Sequence, residues 1–434
     1  MNDRRSPDPV ALACELVQVP SVTPDDHGCQ AILMRQLETL GFVIHPLPFG
    51  AVKNFYARLG SSGRHFCFAG HSDVVTPGVA SQWRFSPFAG TIADGLLHAR
   101  GVCDMKGALA AMVAGVARFL AKRPDFADHD TLSFLITGDE EGEALDGTVR
   151  MLEWLQARGE TLDYCLVGEP TSTAVLGDCI KNGRRGSLNG RIVIAGVQGH
   201  VAYPDLATNP IHAALSLLDP LARHVFDTGN TDFSPTSLQF TAIQAGGSAT
   251  NVIPATLTAA FNIRFNTEQT PKSLEGTLRR LLDAALFQFQ IKMATRRQRV
   301  SDETVHVGYG EEQTRQPTKL PLDMELELVT QDPRLTYTLE LAVSGLPFRT
   351  AGGELLDALR RAVVSVTGLK PRLSTGGGTS DARFIARVCP ETVEFGLVGT
   401  TMHKVDERCP VKDLEQLAAV YCRLLEEVFP PRRA

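Results

Sequence analysis

Residues 65–73 read HFCFAGHSD, and this stretch decides the class of fold. Its first part is apolar and short enough for one buried strand, and Gly70 ends the run before the polar residues begin. Elements of alternating type follow it: a helix over residues 106–121, a strand over 131–137, a helix over 147–157 and a strand over 164–167. Such alternation predicts an α/β layer in which helices flank a largely parallel or mixed sheet.

The pattern changes in the middle of the chain. Strands are predicted over residues 191–195, 236–242 and 256–264, and helices over 210–221 and 271–289. This β-α-β-β-α order is typical of a small α+β domain, ferredoxin-like in type, with an antiparallel sheet. The α/β pattern then resumes, with a helix through Val366, a strand over 393–397 and a closing helix over 412–429. We therefore predict a discontinuous catalytic domain, residues 1–182 and 345–434, into which residues 183–344 are inserted.

Residues 290–333 do not fit this scheme. The stretch is rich in charged residues, Gln and Thr, and its periodicity is weak apart from residues 324–330. It predicts an extra insertion, for which a hairpin and a partly mobile loop both remain open.

Composition excludes several classes of partner. The formal net charge of -6 and a pI near 6.0 give no general attraction to nucleic acid or to anionic lipid. No run approaches the ~18 apolar residues of a spanning helix, and the N-terminal stretch has no apolar core of a signal peptide. The nine cysteines form no C-x-x-C pair, so we expect reduced thiols in a cytoplasmic protein.

Acidic and histidine residues follow the predicted strands of the α/β layer. Because ligands bind at the carboxyl ends of strands in open α/β sheets, these residues are expected to share one crevice. Five of them are candidate metal ligands: His71, Asp104, Glu141, Glu169 and His403.

The chemistry of a metal site needs this mixture of residues. Imidazole and carboxylate groups bind zinc and its neighbours, and five such groups suffice for two ions if one carboxylate is shared. Two ions roughly 3.5–4 Å apart polarise a carbonyl and make a bound water nucleophilic. The neighbouring side chains of Glu140 and Glu141 diverge, so one of them is able to bind metal while the other stays off the metal and takes a proton. Asp73 lies two residues from His71 and is predicted to accept the second N–H of its imidazole.

Each residue has a plainer interpretation when taken alone. A single histidine is more often a satisfied core or surface residue, Glu140 and Glu141 resemble a solvated turn, and Asp104 resembles a helix cap. Their joint occurrence after successive strands favours the metal site. The sequence contains no H-E-x-x-H, G-x-S-x-G or G-x-x-x-x-G-K-[ST] motif. The glycine-rich stretch 376–381 predicts an anion-binding turn at a helix start, capped by Thr379 or Ser380.

At these motifs the chain resembles the zinc-dependent aminoacylase and carboxypeptidase superfamily, over roughly residues 8–288 and 334–429. The resemblance implies two Zn²⁺ per subunit, which Co²⁺ is able to replace. It assigns His71 and Glu169 to one ion, Glu141 and His403 to the other, Asp104 to both, and Glu140 to the role of general base. It also implies that the inserted domain acts as a lid and builds a homodimer.

Three segments resemble one branch of this superfamily more than another. Residues 181–187, 198–204 and 377–381 are similar to the branch that removes succinyl groups, more than to the branch that deacetylates N-acetylornithine. This implies hydrolysis of N-succinyl-L,L-2,6-diaminopimelate, which carries three carboxylates, to succinate and L,L-diaminopimelate. Arginine forks and backbone N–H groups suit carboxylates. The residues implied to bind them are Arg185, Asn251, Arg264, Gly377, Gly378, Thr379 and Ser380.

His200 is implied to reach the active site of the partner subunit and to stabilise an oxyanion. Without the resemblance, Arg184 and Arg185 are equally well explained as a solvated pair. Two rival functions remain: a related N-acyl-amino-acid deacylase or metallodipeptidase with the same metals, and a non-catalytic binding protein that keeps the fold.

Overall fold

The computed structural model describes residues 7–304 and 334–431. The chain divides into two compact units, Met1–Arg184 with Phe348–Ala434, and Arg185–Pro347. Each unit has a hydrophobic core of its own.

The first unit is built on an eight-stranded mixed sheet. Its strands are β1 (Val43–Pro46), β2 (Phe55–Leu59), β3 (His65–His71), β6 (Thr131–Thr137), β7 (Tyr164–Val167), β8 (Cys179–Lys181), β17 (Arg372–Ser374) and β18 (Glu391–Glu394). Their order is β1-β2-β6-β3-β7-β18-β8-β17. The central strands β6, β3, β7 and β18 are parallel to one another, so their carboxyl ends lie at one edge. Short strands complete the unit: β4 (Thr91–Ala93), β5 (Leu96–His98), β9 (Gly183–Arg184), β16 (Phe348–Arg349) and β19 (Arg408–Pro410).

Helices cover both faces of this sheet. They are α1 (Pro9–Val17), α2 (Cys29–Thr39), α3 (Gly107–Lys122), α4 (Thr148–Ala157), α7 (Glu354–Thr367), α8 (Ala382–Ile385) and α9 (Val411–Val428). The sequence of strand β3 is apolar without alternation because both faces of the strand are buried. Phe66 and Phe68 belong to the core under α3 and α9, and Cys67 and Ala69 to the core under α4.

The second unit has an antiparallel sheet of four strands in the order β12-β14-β10-β15. Its elements are β10 (Gly186–Ala195), β11 (Gly199–His200), α5 (Pro210–Arg223), β12 (Ser237–Ala245), β13 (Val252–Ile253), β14 (Thr256–Phe265), α6 (Pro271–Thr304) and β15 (Thr336–Gly345). Alternate residues of β14 are buried, because one face of the sheet packs against the apolar faces of α5 and α6.

Two expectations about local structure were wrong. The stretch from residue 290 onward continues as helix α6 to Thr304 instead of forming a hairpin or loop, and the rest of that stretch, 305–333, lies outside the described residues. Strand β18 begins at Glu391, two residues before the predicted start of 393, and includes the buried Glu394. The strand ends at Glu394 instead of residue 397. The predicted range contained Glu394, but nothing in the sequence marks its carboxylate as buried, because that burial depends on an ion pair with the distant Arg184.

In the described part of the chain, no helix combines the length and the apolar character needed to cross a membrane. All nine cysteines lie within that part and are free thiols.

Candidate metal centre

The predicted ligands lie at the carboxyl edge of the central strands. His71 is the last residue of β3, Glu141 follows β6, and Glu169 follows β7. Asp104 lies in the irregular turn that leads into α3, and His403 lies in the loop before β19. The edge therefore brings together side chains from five separate segments of the first unit.

Asp104 lies between the two histidines. Its Oδ1 is 3.0 Å from Nε2 of His71, and its Oδ2 is 3.2 Å from Nε2 of His403. Glu141 Oε1 lies 2.8 Å from the same His403 nitrogen, and Glu169 Oε1 lies 3.9 Å from Nε2 of His71. The five side chains thus form two groups, one around each histidine, that share the Asp104 carboxylate.

Glu140 is next to this cluster and largely buried. Ligand atoms of His71, Glu140 and Glu169 all lie within 4.8 Å of one another. A guanidinium nitrogen of Arg383 is 3.9 Å from Glu140 Oε1. Burial, and then the charge of Glu169, raise the pKa of Glu140 well above its ordinary value.

The pKa values in the cluster are shifted because several acidic side chains are buried close together. Burial, reinforced by the charge of Asp104, raises the pKa of Glu169 to about 8. Hydrogen bonds with Asp104 and Glu141 raise the pKa of His403 to about 10. Burial lowers the pKa of His71, but the contact with Asp104 outweighs it and leaves that pKa well above its ordinary value. Burial raises the pKa of Asp104, yet the two imidazoles bring it below its usual range.

These residues fit a pair of divalent cations. Carboxylates that are buried together repel one another, and a cation among them removes that repulsion. Imidazole nitrogen and carboxylate oxygen are donors that suit zinc and cobalt. Glu140 sits beside the donors with its own carboxylate available for proton transfer.

Asp73 makes contacts that differ from those expected. The backbone carbonyl of Asp73, not its carboxylate, lies 2.9 Å from Nδ1 of His71, and the carboxylate oxygen is 3.7 Å away. The carboxylate instead accepts hydrogen bonds from the backbone N–H groups of Glu141 at 3.0 Å and Glu140 at 3.4 Å. Asp73 therefore joins the end of β3 to the loop that carries the candidate base.

The glycine-rich turn also differs in detail. Helix α8 begins after Asp381, and neither Thr379 nor Ser380 caps it. The buried Ser380 hydroxyl donates to Glu394 Oε1 at 2.5 Å. Gly377 and Gly378 are exposed, and Arg184 Nη1 donates to the carbonyl of Gly378 at 3.0 Å.

Position 377 has no room for a side chain. Its φ is +102°, and a Cβ atom there would lie 2.5 Å from Nζ of Lys181 and 3.0 Å from Nη1 of Arg184. Two cations, Lys181 and Arg184, thus line the back of the turn, and neither was among the predicted substrate-binding residues. The alternative of a solvated arginine pair is wrong for Arg184, which is buried and paired with Glu394.

The remaining candidates lie in the second unit, in two groups. Arg264 pairs with Ser187 across β14 and β10, and Arg185 Nη1 donates to the carbonyl of Pro235 at 3.3 Å. His200 pairs with Val252, the neighbour of Asn251, and is exposed.

Arg185 and Arg264 lie at the start of β10, whereas His200 and Asn251 lie beyond its end, in and next to the short sheet that β11 forms with β13. Strand β10 has 10 residues, and at about 3.3 Å per residue it is roughly 30 Å long.

A family model described as Peptidase family M20/M25/M40 matches residues 67–427, and the chain belongs to that family of hydrolases. Its sequence is 56% identical to the succinyl-diaminopimelate desuccinylase of Magnetococcus marinus, over 98% of this chain and 99% of that protein. Proteins of the same name from Hydrogenovibrio crunogenus and Thiobacillus denitrificans are 43% and 45% identical, over 95% and 97% of this chain and 96% and 94% of theirs.

Solved structures show the same fold at low sequence identity. Aminopeptidase PepT from Bacillus cereus has a TM-score of 0.71 at 19% identity, over 97% of this chain and 98% of that one. The YXEP protein of Bacillus subtilis, described as a dinuclear metal binding peptidase from the M20 family, has a TM-score of 0.65 at 15% identity, over 96% of both chains. The chain therefore has the α/β fold of M20 peptidases, with a mixed sheet and helices.

Proposed function

We propose that this chain hydrolyses N-succinyl-L,L-2,6-diaminopimelate to succinate and L,L-diaminopimelate, a step of lysine and diaminopimelate biosynthesis. The names of relatives up to 56% identical support this substrate. The observation that carries the proposal is the Asp104 carboxylate between His71 and His403, with Glu140 beside them.

Two zinc ions per subunit are proposed at this cluster. His71 and Glu169 would hold one ion, Glu141 and His403 the other, and Asp104 both, with Co²⁺ as a competent substitute. When bound, such a pair polarises the scissile carbonyl and supplies a nucleophilic water at neutral pH.

Glu140 is the proposed general base. It takes a proton from the attacking water as the new C–O bond forms at the succinyl carbonyl. It then delivers that proton to the amine nitrogen as the C–N bond breaks. Asp73 positions this residue, because its carboxylate fixes the backbone N–H groups of Glu140 and Glu141.

The substrate carboxylates are proposed to bind to the glycine-rich turn of the first unit and to three polar side chains of the second unit. Gly377, Gly378 and Thr379 would offer backbone N–H groups, and Arg185, Asn251 and Arg264 would offer side chains. Ser380 would contribute through its backbone, since its hydroxyl already donates to Glu394.

A homodimer is proposed because Arg185 and Arg264 lie at the start of β10, whereas His200 and Asn251 lie beyond the other end of this strand, which is roughly 30 Å long. A single site that uses both groups would take them from two chains. Four exposed apolar residues lie close to His200 in sequence or pair with it, as expected for a surface that a second copy covers: Val201, Tyr203, Leu206 and Val252.

The second unit would then serve as the lid and dimerisation domain. Its order β10-α5-β12-β14-α6-β15 is compatible with a ferredoxin-like fold. The nine free thiols support a location in the cytoplasm.

A substrate panel tests the proposal. We expect catalytic efficiency on N-succinyl-L,L-2,6-diaminopimelate to exceed that on N-acetylornithine and on neutral dipeptides by at least about 10³-fold, because unmatched buried cations reject the wrong substrate. A preference for N-acetylornithine or for a dipeptide would reject this substrate and leave a related deacylase or metallodipeptidase. No hydrolysis by the zinc-loaded protein would leave a binding protein.

A further inference from the structure

A buried glutamate joins the two loops that carry Asp104 and His403. Glu407 is 0% exposed and lies four residues after His403 in the same loop. Its carboxylate is bound entirely by the turn that leads to Asp104. The groups that bind it are Arg100 Nη1 at 2.6 Å and the backbone N–H groups of Gly101 at 3.0 Å, Cys103 at 2.9 Å and Asp104 at 3.3 Å.

This contact reaches both halves of the candidate metal centre. Glu407 Oε1 accepts from the backbone of Cys103 and of Asp104 itself, the residue whose carboxylate is shared. The same glutamate lies only four residues after His403 in the chain, and Nε2 of His403 is 3.2 Å from Oδ2 of Asp104. This side chain therefore links the turn of the shared carboxylate to the loop of a histidine from a distant part of the chain.

Both loops enter the left-handed region of backbone conformation, and in the His403 loop residues other than glycine do so, which requires support from the surroundings. Gly101 has a φ of +80°, and His403 and Asp406 have φ values of +60° and +59°, in the left-handed region that residues other than glycine seldom adopt. The side chain of His403 is also 47% exposed, so packing alone does not hold it. Outer contacts of this kind orient metal ligands in proteins generally.

We propose that Glu407 is a positioning residue for the metal pair, which holds the Asp104 turn and the His403 loop at the separation that two ions require. The inference rests on the proposed metal centre. It assigns to Glu407 no contact with metal or substrate. It predicts that metal affinity, and not only stability, depends on the length of this side chain and on both of its carboxylate oxygens, which accept the hydrogen bonds from the turn.

Two variants separate charge from length. Glu407→Asp keeps the negative charge that Arg100 needs but shortens the side chain by one methylene. Glu407→Gln keeps the length but removes the charge and leaves the buried Arg100 without its counter-ion, so it is expected to lower stability as well.

Glu160→Gln is the matched control. Glu160 is a part-buried carboxylate of the first unit that accepts hydrogen bonds from Tyr56 at 2.8 Å and from Arg58 at 2.6 Å. Within the described residues, neither of these partners belongs to a loop of the metal cluster. Its loss should lower the unfolding temperature and leave metal binding unchanged.

The experiment is a calorimetric titration of the metal-free proteins with Zn²⁺. We expect Glu407→Asp to weaken binding of at least one ion by ~10–100-fold, the usual effect of losing an outer contact of a metal ligand. Turnover should fall while KM changes little, since no substrate contact is removed. Glu407→Gln should weaken binding at least as much when folded.

Several results would overturn the inference. One is a Glu407→Asp protein that binds two ions as tightly as the wild type; another is a control that weakens binding equally. If Glu407→Asp fails to fold, Arg100→Met combined with Glu407→Gln removes both charges, and a folded double variant with unchanged affinity, or one that also fails to fold, overturns it too. A wild-type protein that bound no metal would instead defeat the proposed function.

Discussion

Oδ2 of Asp104 lies 3.2 Å from Nε2 of His403, although the two residues come from the two separate chain segments that form the first unit. The other oxygen of the same carboxylate lies 3.0 Å from His71. Asp104 is therefore the group on which the proposed pair of ions most depends.

Replacing Asp104 by Asn should break this arrangement, because an amide offers one oxygen where two are needed. We expect the zinc content to fall from two ions to one or fewer, and turnover to fall by about 10³-fold or more. Metal analysis after dialysis, together with the rate of hydrolysis, checks this. A variant that keeps two ions and full activity would exclude Asp104 as the shared ligand.

Glu140→Gln should separate proton transfer from metal binding. The amide cannot accept a proton, so we expect turnover to fall by about 10²–10⁴-fold while both ions remain bound. Glu143→Gln is the control, because Glu143 is an exposed glutamate in the same loop. Normal turnover in Glu140→Gln would remove the base assignment.

His200→Ala tests the dimer. The variant should lose turnover more than metal binding, because His200 is proposed to act on an oxyanion and not on the ions. If each His200 serves the other chain's site, mixing His200→Ala with Glu140→Gln subunits should restore one working site in each mixed dimer, about a quarter of the wild-type activity in a statistical mixture. A mixture that stays inactive after subunit exchange would mean that His200 serves its own chain or no site.

The metal-free protein should lose stability as the pH rises from about 6 to about 8.5. The pKa of Glu169 is raised to about 8, so its protonated form stabilises the folded state, and this contribution is lost as the pH passes through that value. The raised pKa of His403, about 10, acts in the same direction, because its stabilisation is complete below the ordinary value and falls above it.

Thermal unfolding with EDTA and with Zn²⁺ measures this effect. Bound cations favour the ionised carboxylates, so the loss of stability should be smaller with Zn²⁺. Equal slopes with and without metal would contradict the proposed coupling between these groups and the ions.

Gly377→Ala tests the glycine-rich turn. The added Cβ atom would press on Lys181 and Arg184 at a φ that alanine rarely adopts. We expect KM to rise by about tenfold or more, with two ions still bound. Gly352→Ala, where no atom lies within 4 Å of the new Cβ, is the control. An unchanged KM would remove the turn from substrate binding.

Much of the fold and of the candidate metal site could be predicted from the sequence, for physical reasons. Strands β6 and β7 have the predicted bounds because short apolar runs between polar residues are buried on both faces of a parallel sheet. The ligands come together because each follows such a strand or precedes a helix at the same edge.

The rest depends on partners that a sequence does not reveal. Glu394 and Glu407 are buried, and a glutamate is buried only where a specific cation or backbone N–H group meets it. Arg184 and Arg100 supply those cations from distant positions in the chain. For the same reason the sequence predicted that Asp73 lies near the metal site, but it did not predict that the Asp73 carboxylate accepts hydrogen bonds from the backbone of Glu140 and Glu141.

The most direct test of the central claim is anomalous diffraction at the zinc edge from crystals of the metal-loaded protein. Two peaks should appear, roughly 3.5–4 Å apart, on either side of Asp104, one against His71 and Glu169 and the other against Glu141 and His403. Peaks elsewhere, or a pair of ions that does not share the Asp104 carboxylate, would contradict it.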